Sequence, residues 1–444
     1  MKTFIALLLL AWLASVTESS VAGESTPYDP NPSHPWNRLN ETLFQRTAED
    51  GKKYGLDELD ILYWYRTTNL LVGASHDRAI AVLDHFIQTH ADQTVRDPLK
   101  RAFLQRDLWQ LFDWLAKPWS ADPYATQRRN LESRLAVVIR RLALTTNEIA
   151  SLPDNYALTD RHLAPDLPRG LFQTNGDWVS VSADPYANSE IAPLHDHNSS
   201  GHSAFLVFFK EPQGRSAALA YLNQLRSSER FWIYVTNNSP FVTTNDPHEI
   251  LTLNTNLPEF PANTRWALAR RLLLIDSNGN LQPTHIIESI QMRRYVSLSP
   301  PKMLLATNES GGVSLEPVPA QDFYEFQMDR RQNGALREIA AGEKDFLFVH
   351  FLSKGIDPFE EELNESTVRD SATFKGTVLE SCRTCHAATG IYSVNVYAGL
   401  FHPRTIDTPV LWESDINLPT HAAMNWKLEQ YSWGLLQGLW NQSN

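Results

Sequence analysis

Apolar positions along the first third of the chain recur at helical spacing. Asp57 to Leu71 carries Leu59, Leu62, Tyr63 and Leu70, and Ser75 is placed to cap a following helix with Ile80, Leu83 and Ile87. Asp97-Pro98 is a start signal, since Asp accepts from the orphan N–H groups of a first turn and Pro has no N–H to satisfy there. The helix it opens has Leu99, Phe103, Leu108, Leu111 and Leu115. The next has Leu131, Leu135, Val138 and Leu142 among five arginines, and Thr145 with Glu148 reads as a capping box before Leu152-Pro153. Residues 37–155 are therefore expected to form a helical domain.

The period changes near Pro165. Trp178–Ser182, Ala204–Phe209 and Phe231–Val235 are short β-rich runs, and Arg271–Asp276 and His285–Arg293 flank Ser277-Asn278-Gly279-Asn280. Asn-Gly between two such runs is the strongest short-range hairpin signal. Ser216–Arg226 reads as one helix among them, so 165–300 is expected to be an α+β domain with an antiparallel sheet. Beyond the Pro- and Gly-rich stretch at 299–319, residues 320–444 are expected to be mostly helical. Their last helix, after Pro419-Thr420, would align Met424, Leu428, Tyr431, Leu435 and Leu439, with Gly434 and Gly438 open to a neighbouring backbone. The expected fold class is thus α+β and multidomain, a helical region followed by a sheet region and a second helical region.

The amino terminus has a different pattern. Lys2, the apolar stretch Phe4–Val16 and small residues at Ser20-Val21-Ala22 read as a signal peptide over residues 1–22. Its apolar run is too short for the ~20 residues of a membrane span, and no later segment supplies one. The expectation is an exported protein, periplasmic in a bacterium or extracellular, with no stable span after signal removal.

Composition narrows the function. The 444 residues have 42% hydrophobic positions and 13 Trp, adequate for a packed core, and a formal net charge of −12. That balance repels a phosphate backbone, so nucleic-acid binding is not expected. There are only two cysteines, so the chain is not a disulfide-stapled scaffold.

Both cysteines fall in one pentapeptide, Cys382-Arg383-Thr384-Cys385-His386. CxxCH is the attachment signature of a covalent haem c: two thiols three residues apart reach two vinyl groups, and the adjoining histidine is placed to bind iron. Two cysteines scattered at random fall at this spacing about once in 200 chains, before the histidine is counted. A thioredoxin-like redox pair would need a strand–turn–helix setting, and a zinc site would need ligands from elsewhere.

Across these five positions the sequence resembles the c-type cytochromes. The resemblance implies one covalent haem c, with Cys382 and Cys385 as thioether cysteines and His386 as the proximal ligand. The segment after the motif departs from the small soluble members, since Thr389-Gly390 runs into Ile391–Val396 where they carry a Gly-Pro-Leu-type stretch. The sixth iron position separates electron transfer from ligand binding or peroxide chemistry. Met424 is the candidate distal ligand, with His421, His402 and His350 as alternatives and Arg404 as a candidate partner for a propionate.

A further constellation, His195, His197 and His202 in LHDHNSSGH, places imidazoles on one side of an extended segment and suits either a metal or a polar loop. The leading expectation is an exported monohaem c protein exchanging electrons with a redox partner protein or a small-molecule redox substrate. The mature chain is several times longer than a simple carrier needs, which motivates a haem enzyme or gas and peroxide sensor as the alternative. A partner-binding scaffold with an incidental CxxCH is the third reading.

Overall fold

The computed structural model describes residues 28–47, 51, 53–56, 67–117, 122–182, 186, 191–192, 195, 201–228, 232–236, 249–253, 256–298, 305–307, 313–315, 321–346, 359, 375–379, 383, 386, 390–394 and 411–442. The residues expected to form a signal peptide and most of the helix expected at 57–71 lie outside them. In chain order the elements are α1 (Pro35–Leu43), β1 (Arg46–Thr47), β2 (Lys53–Tyr54), α2 (Gly73–Gln88), α3 (Pro98–Leu115), α4 (Ala125–Leu142), α5 (Thr146–Ala150) and α6 (Asn155–Leu158). Then follow β3 (Val179–Ser182), β4 (Ser203–Lys210), α7 (Arg215–Arg226), β5 (Trp232–Thr236), β6 (Glu249–Leu253), β7 (Arg265–Ile275) and β8 (Leu281–Tyr295). The rest of the chain supplies β9 (Leu305–Thr307), β10 (Val313–Leu315), β11 (Gln321–Asp329), β12 (Ala335–Glu338), β13 (Lys344–Phe346), β14 (Lys375–Thr377), β15 (Trp412–Glu413), α8 (Asn417–Leu428) and α9 (Tyr431–Gln442).

Seven of these strands form one antiparallel sheet in the order β12-β11-β8-β7-β4-β3-β15. The class is α+β, as the patterning expects. Within 320–444, expected to be mostly helical, α8 and α9 are helices, but β11, β12 and β15 are strands that join the sheet. The physical reason lies in QDFYEFQMD of β11, where polar Gln321 and Glu325 are buried along with Phe326 and Met328. A strand covered on both faces loses the apolar–polar alternation by which strands are recognised.

Register fixes which residues share a face. Ala204, Leu206 and Phe208 of β4 lie beside Arg271, Ala269 and Ala267 of β7, and the row continues through Ile290 and Met292 of β8 to Phe326 of β11. Their apolar members belong to one core cluster with Phe103, Trp109 and Phe112 of α3, Leu131, Leu135, Val138 and Leu142 of α4, and Trp433, Leu436 and Trp440 of α9. The opposite face carries a smaller core, in which Val179, Val181, Phe209, Trp266 and Tyr295 meet Ala218, Tyr221, Leu222 and Leu225 of α7. Farther along that second face Val207, Leu268, Gln291, Arg293 and Phe323 are only half-buried.

Local signals act as expected where their partners are near in sequence. Asp97 accepts from the Leu99 N–H at 2.9 Å, and Thr145 and Glu148 form the reciprocal capping box. Ser75 differs: Val72 is the N-cap of α2, and the Ser75 hydroxyl, one turn inside, donates to the Val72 carbonyl at 2.9 Å. The hairpin between β7 and β8 turns on Asp276, whose Oδ1 accepts from the N–H groups of Asn278 and Asn280, both at 2.9 Å. Its Oδ2 accepts from the Thr146 hydroxyl at 2.9 Å and the Gln282 amide at 3.0 Å.

The carboxy-terminal helix is two helices, interrupted at Glu429-Gln430. The break changes the helical phase, so Leu428 and Tyr431 of the expected stripe are exposed while Trp433, Leu436 and Trp440 are buried. Added Cβ atoms at Gly434 and Gly438 would meet nothing within 4 Å, so neither glycine serves close packing in this chain. Gly201 does. Its φ is +74°, and a Cβ there would stand 2.7 Å from the Trp426 ring and 3.0 Å from Lys427, which lets the start of β4 lie directly beneath α8.

α3 is buried all round from Ala102 to Leu115, including Gln105, Arg106, Asp107, Gln110 and Asp113. Besides the Arg106–Asp107 pair within the helix at 3.9 Å, its buried ion pairs cross to other parts of the chain. Asp107 takes a two-pronged contact from Arg330 at 2.7 and 2.9 Å, Arg106 meets Glu288 of β8 at 2.5 Å, and Asp113 accepts from Lys427 of α8 at 2.6 Å. Burial pushes Asp113 up and Lys427 down, each opposed by the other's charge.

Removing one member of such a pair strands a buried charge, whereas replacing both by apolar groups does not. Lys427→Met is expected to cost about 3–5 kcal/mol in urea unfolding, and Lys427→Met with Asp113→Leu to recover most of it. For Asp276, burial opposes ionisation, but the Asn280 N–H, Thr146 hydroxyl, Gln282 amide and Asn278 N–H outweigh it and hold the carboxyl below its ordinary value. Its stabilisation is present above the ordinary carboxylate value near 3.8 and is lost as pH falls through the lowered folded value. The stability difference between wild type and Asp276→Asn, about 1 kcal/mol at pH 7, should therefore shrink in unfolding curves taken below pH ~3.5.

Candidate haem-binding site

Of the CxxCH pentapeptide, Arg383 and His386 lie among the described residues, and Cys382 and Cys385 lie outside them. Arg383 and His386 dock where β8 ends and β11 begins, on the half-buried part of the second sheet face. Gln321, the register partner of Tyr295, donates from Nε2 to the His386 carbonyl at 2.9 Å. The exposed Arg383 guanidinium stands 5.5 Å above the Phe323 ring.

The turn after the motif sets the imidazole. His386 Nδ1 lies 3.2 Å from the Ser393 carbonyl. A carbonyl oxygen only accepts, so Nδ1 carries the proton and the lone pair of the neutral ring resides on Nε2. A backbone carbonyl behind one ring nitrogen, orienting the ring and raising the basicity of the other, is the support that metal-bound histidines receive. Ser393 is itself fully buried and fixed: Arg293 Nη1 donates to its carbonyl at 2.9 Å, its hydroxyl donates to the Gly390 carbonyl at 2.9 Å, and the Tyr295 hydroxyl bonds it from β8.

The second imidazole at this place is His195, from the connection between β3 and β4. Its N–H donates to the Ala192 carbonyl at 2.9 Å, and its ring packs 5.4 Å from Phe205 of β4. The His195 and His386 rings lie 6.4 Å apart between centroids with their planes 3° from parallel. Burial, then the charges of Arg293 and Arg270, pushes His195 down to about 4. Burial, then Arg293 and His195, holds His386 well below the ordinary value. Both rings are therefore neutral at physiological pH, the form in which imidazole binds a metal.

The other singled-out residues go elsewhere. His202, near His195 in sequence, is buried on the far side of the sheet, edge-on to Trp109 at 5.7 Å and 3.7 Å from Asp113. Met424 of α8 packs against the larger core and His421 is exposed on the same helix. His197, His350, His402 and Arg404 lie outside the described residues. The structure thus brings His195 to His386, a juxtaposition that sequence spacing does not reveal, and leaves Met424 and His421 away from it. Among the described residues no group of three or more His, Cys, Asp or Glu side chains is arranged to hold a metal ion, and no helix is long and apolar enough to cross a membrane. No family model matches the chain, and no curated protein or solved structure matches it.

Gly390 tests the turn. Its φ is +55°, and an added Cβ would fall 1.9 Å from the Glu259 carboxylate, which accepts from the Ile391 and Phe260 N–H groups at 3.0 Å each. Gly390→Ala must both strain the backbone and displace that carboxylate from its donors, whereas Gly342→Ala (φ +87°) meets open space. The expected costs in unfolding assays are about 2–3 kcal/mol and about 1 kcal/mol respectively.

Proposed function

We propose that this chain is an exported protein that carries one covalent haem c, attached through Cys382 and Cys385 and bound at iron by His386, and that it transfers electrons. The observation that carries the reading is the CxxCH motif ending in an imidazole whose Nδ1 faces a fixed backbone carbonyl. When bound, haem c supplies a one-electron iron couple. The chain's own part is to hold and tune. Ser393, locked by Arg293 and Tyr295, sets the His386 tautomer; Val207, Leu268 and Phe323 offer a half-buried apolar floor; Arg293 supplies a positive charge beside the two imidazoles for an anionic group. The net charge of −12 favours a redox partner that presents a basic surface.

The expected result is a pyridine haemochrome that stays with the exported protein after acid–acetone extraction, and that is absent from Cys382→Ala/Cys385→Ala. Loss of haem from the wild type on extraction would overturn the reading and return the two cysteines to redox-pair or metal chemistry.

A further inference from the structure

The reading above leaves the sixth iron position undecided between an electron carrier and a ligand-binding enzyme or sensor. From the pairing of rings on the second sheet face we infer that His195 is the second axial ligand, so that the iron is held between two imidazoles. This inference rests on covalent haem attachment at the CxxCH motif.

A metal–imidazole bond is about 2.0 Å and the ligating nitrogen stands about 1.1–1.2 Å from its ring centroid, so two imidazoles in line on opposite faces of one iron have centroids about 6.3 Å apart. His195 and His386 stand at 6.4 Å. The two planes differ by only 3°, the relative orientation of two imidazoles that share one iron with their planes aligned. The two rings approach from different elements. His386 is tied through Ser393 to β8, and His195 leans on Phe205 of β4, so two strands on either side of β7 fix the separation. No comparable arrangement serves Met424, which packs with the larger core.

Two consequences distinguish this coordination. An iron with both axial positions filled is low-spin and accepts an external ligand only when one imidazole leaves, so apparent affinity is reduced by the fraction of open sites. That disfavours gas binding and peroxide chemistry at the resting iron. Near-parallel imidazole planes also give an ordinary rhombic low-spin EPR spectrum, while crossed planes give a highly anisotropic one.

The test uses full-length exported protein whose haem has first been shown to resist acid–acetone extraction. The ferric wild type is expected to show the near-infrared charge-transfer band of bis-imidazole coordination and a rhombic low-spin EPR signal, and the reduced protein to form no carbon monoxide adduct on mixing. His195→Ala should become high-spin, bind carbon monoxide at least about tenfold more tightly, and return to the low-spin spectrum when free imidazole is added. His195→Met should shift the near-infrared band to the position of a His–Met pair, a readout that lost packing would not produce. Covalent haem with a high-spin or His–Met wild-type spectrum would overturn the assignment of His195 while leaving haem attachment intact. Unchanged spectra in both His195 variants would do the same. Failure of the wild type to retain haem would overturn both readings together.

Discussion

From Ala102 to Leu115 α3 has no solvent-facing side, and the rest of the molecule is organised by how its polar residues are satisfied without water. A buried charge is tolerated only when paired and hydrogen-bonded, so Arg106, Asp107 and Asp113 dictate where β8, Arg330 and α8 must lie. Gln105 extends the same logic to backbone, bonding both the carbonyl and the N–H of Ile275 at the end of β7. Apolar packing alone would allow the helix to rotate or slide; these contacts give it one setting. The Glu288 carboxylate also meets Arg270 at 3.1 Å and the Ser203 hydroxyl, so charge pairing continues from the helix into the sheet.

The sheet is therefore a wall between two environments. One face is sealed by helices and holds the larger core. The other is sealed by α7 over only part of its width, and the half-buried remainder receives His195, Arg383 and His386. Arg270 belongs to both, since it pairs with Glu288 and its charge is felt at His195. A sheet with a deep core behind it is a sound base for holding these two imidazoles at one spacing.

What could be read from sequence divides by distance along the chain. Asp97, the Thr145–Glu148 box and the Asn278-Gly279 turn were legible because each acts within a few residues. The helices α4 and α7 were legible because one stripe of each is buried. β11 was not, because burial on both faces placed Gln321 and Glu325 among apolar neighbours; nor was the phase of α9, because two residues of turn reset it. For the site, the spacing of CxxCH is what raised the expectation of a covalent haem. The partnership of His195 with His386 was illegible, since it depends on the register of β4, β7 and β8 and on a turn secured across 100 residues by Arg293.

The ion pair between Asp113 and Lys427 joins residues 314 positions apart. A chain emerging from the ribosome completes α3 long before the lysine that neutralises it exists. Until then, burying Asp113 would leave its charge without its closest partner, which disfavours closing the core over it. The late cation thus couples closure of the core around Asp113 to completion of the chain.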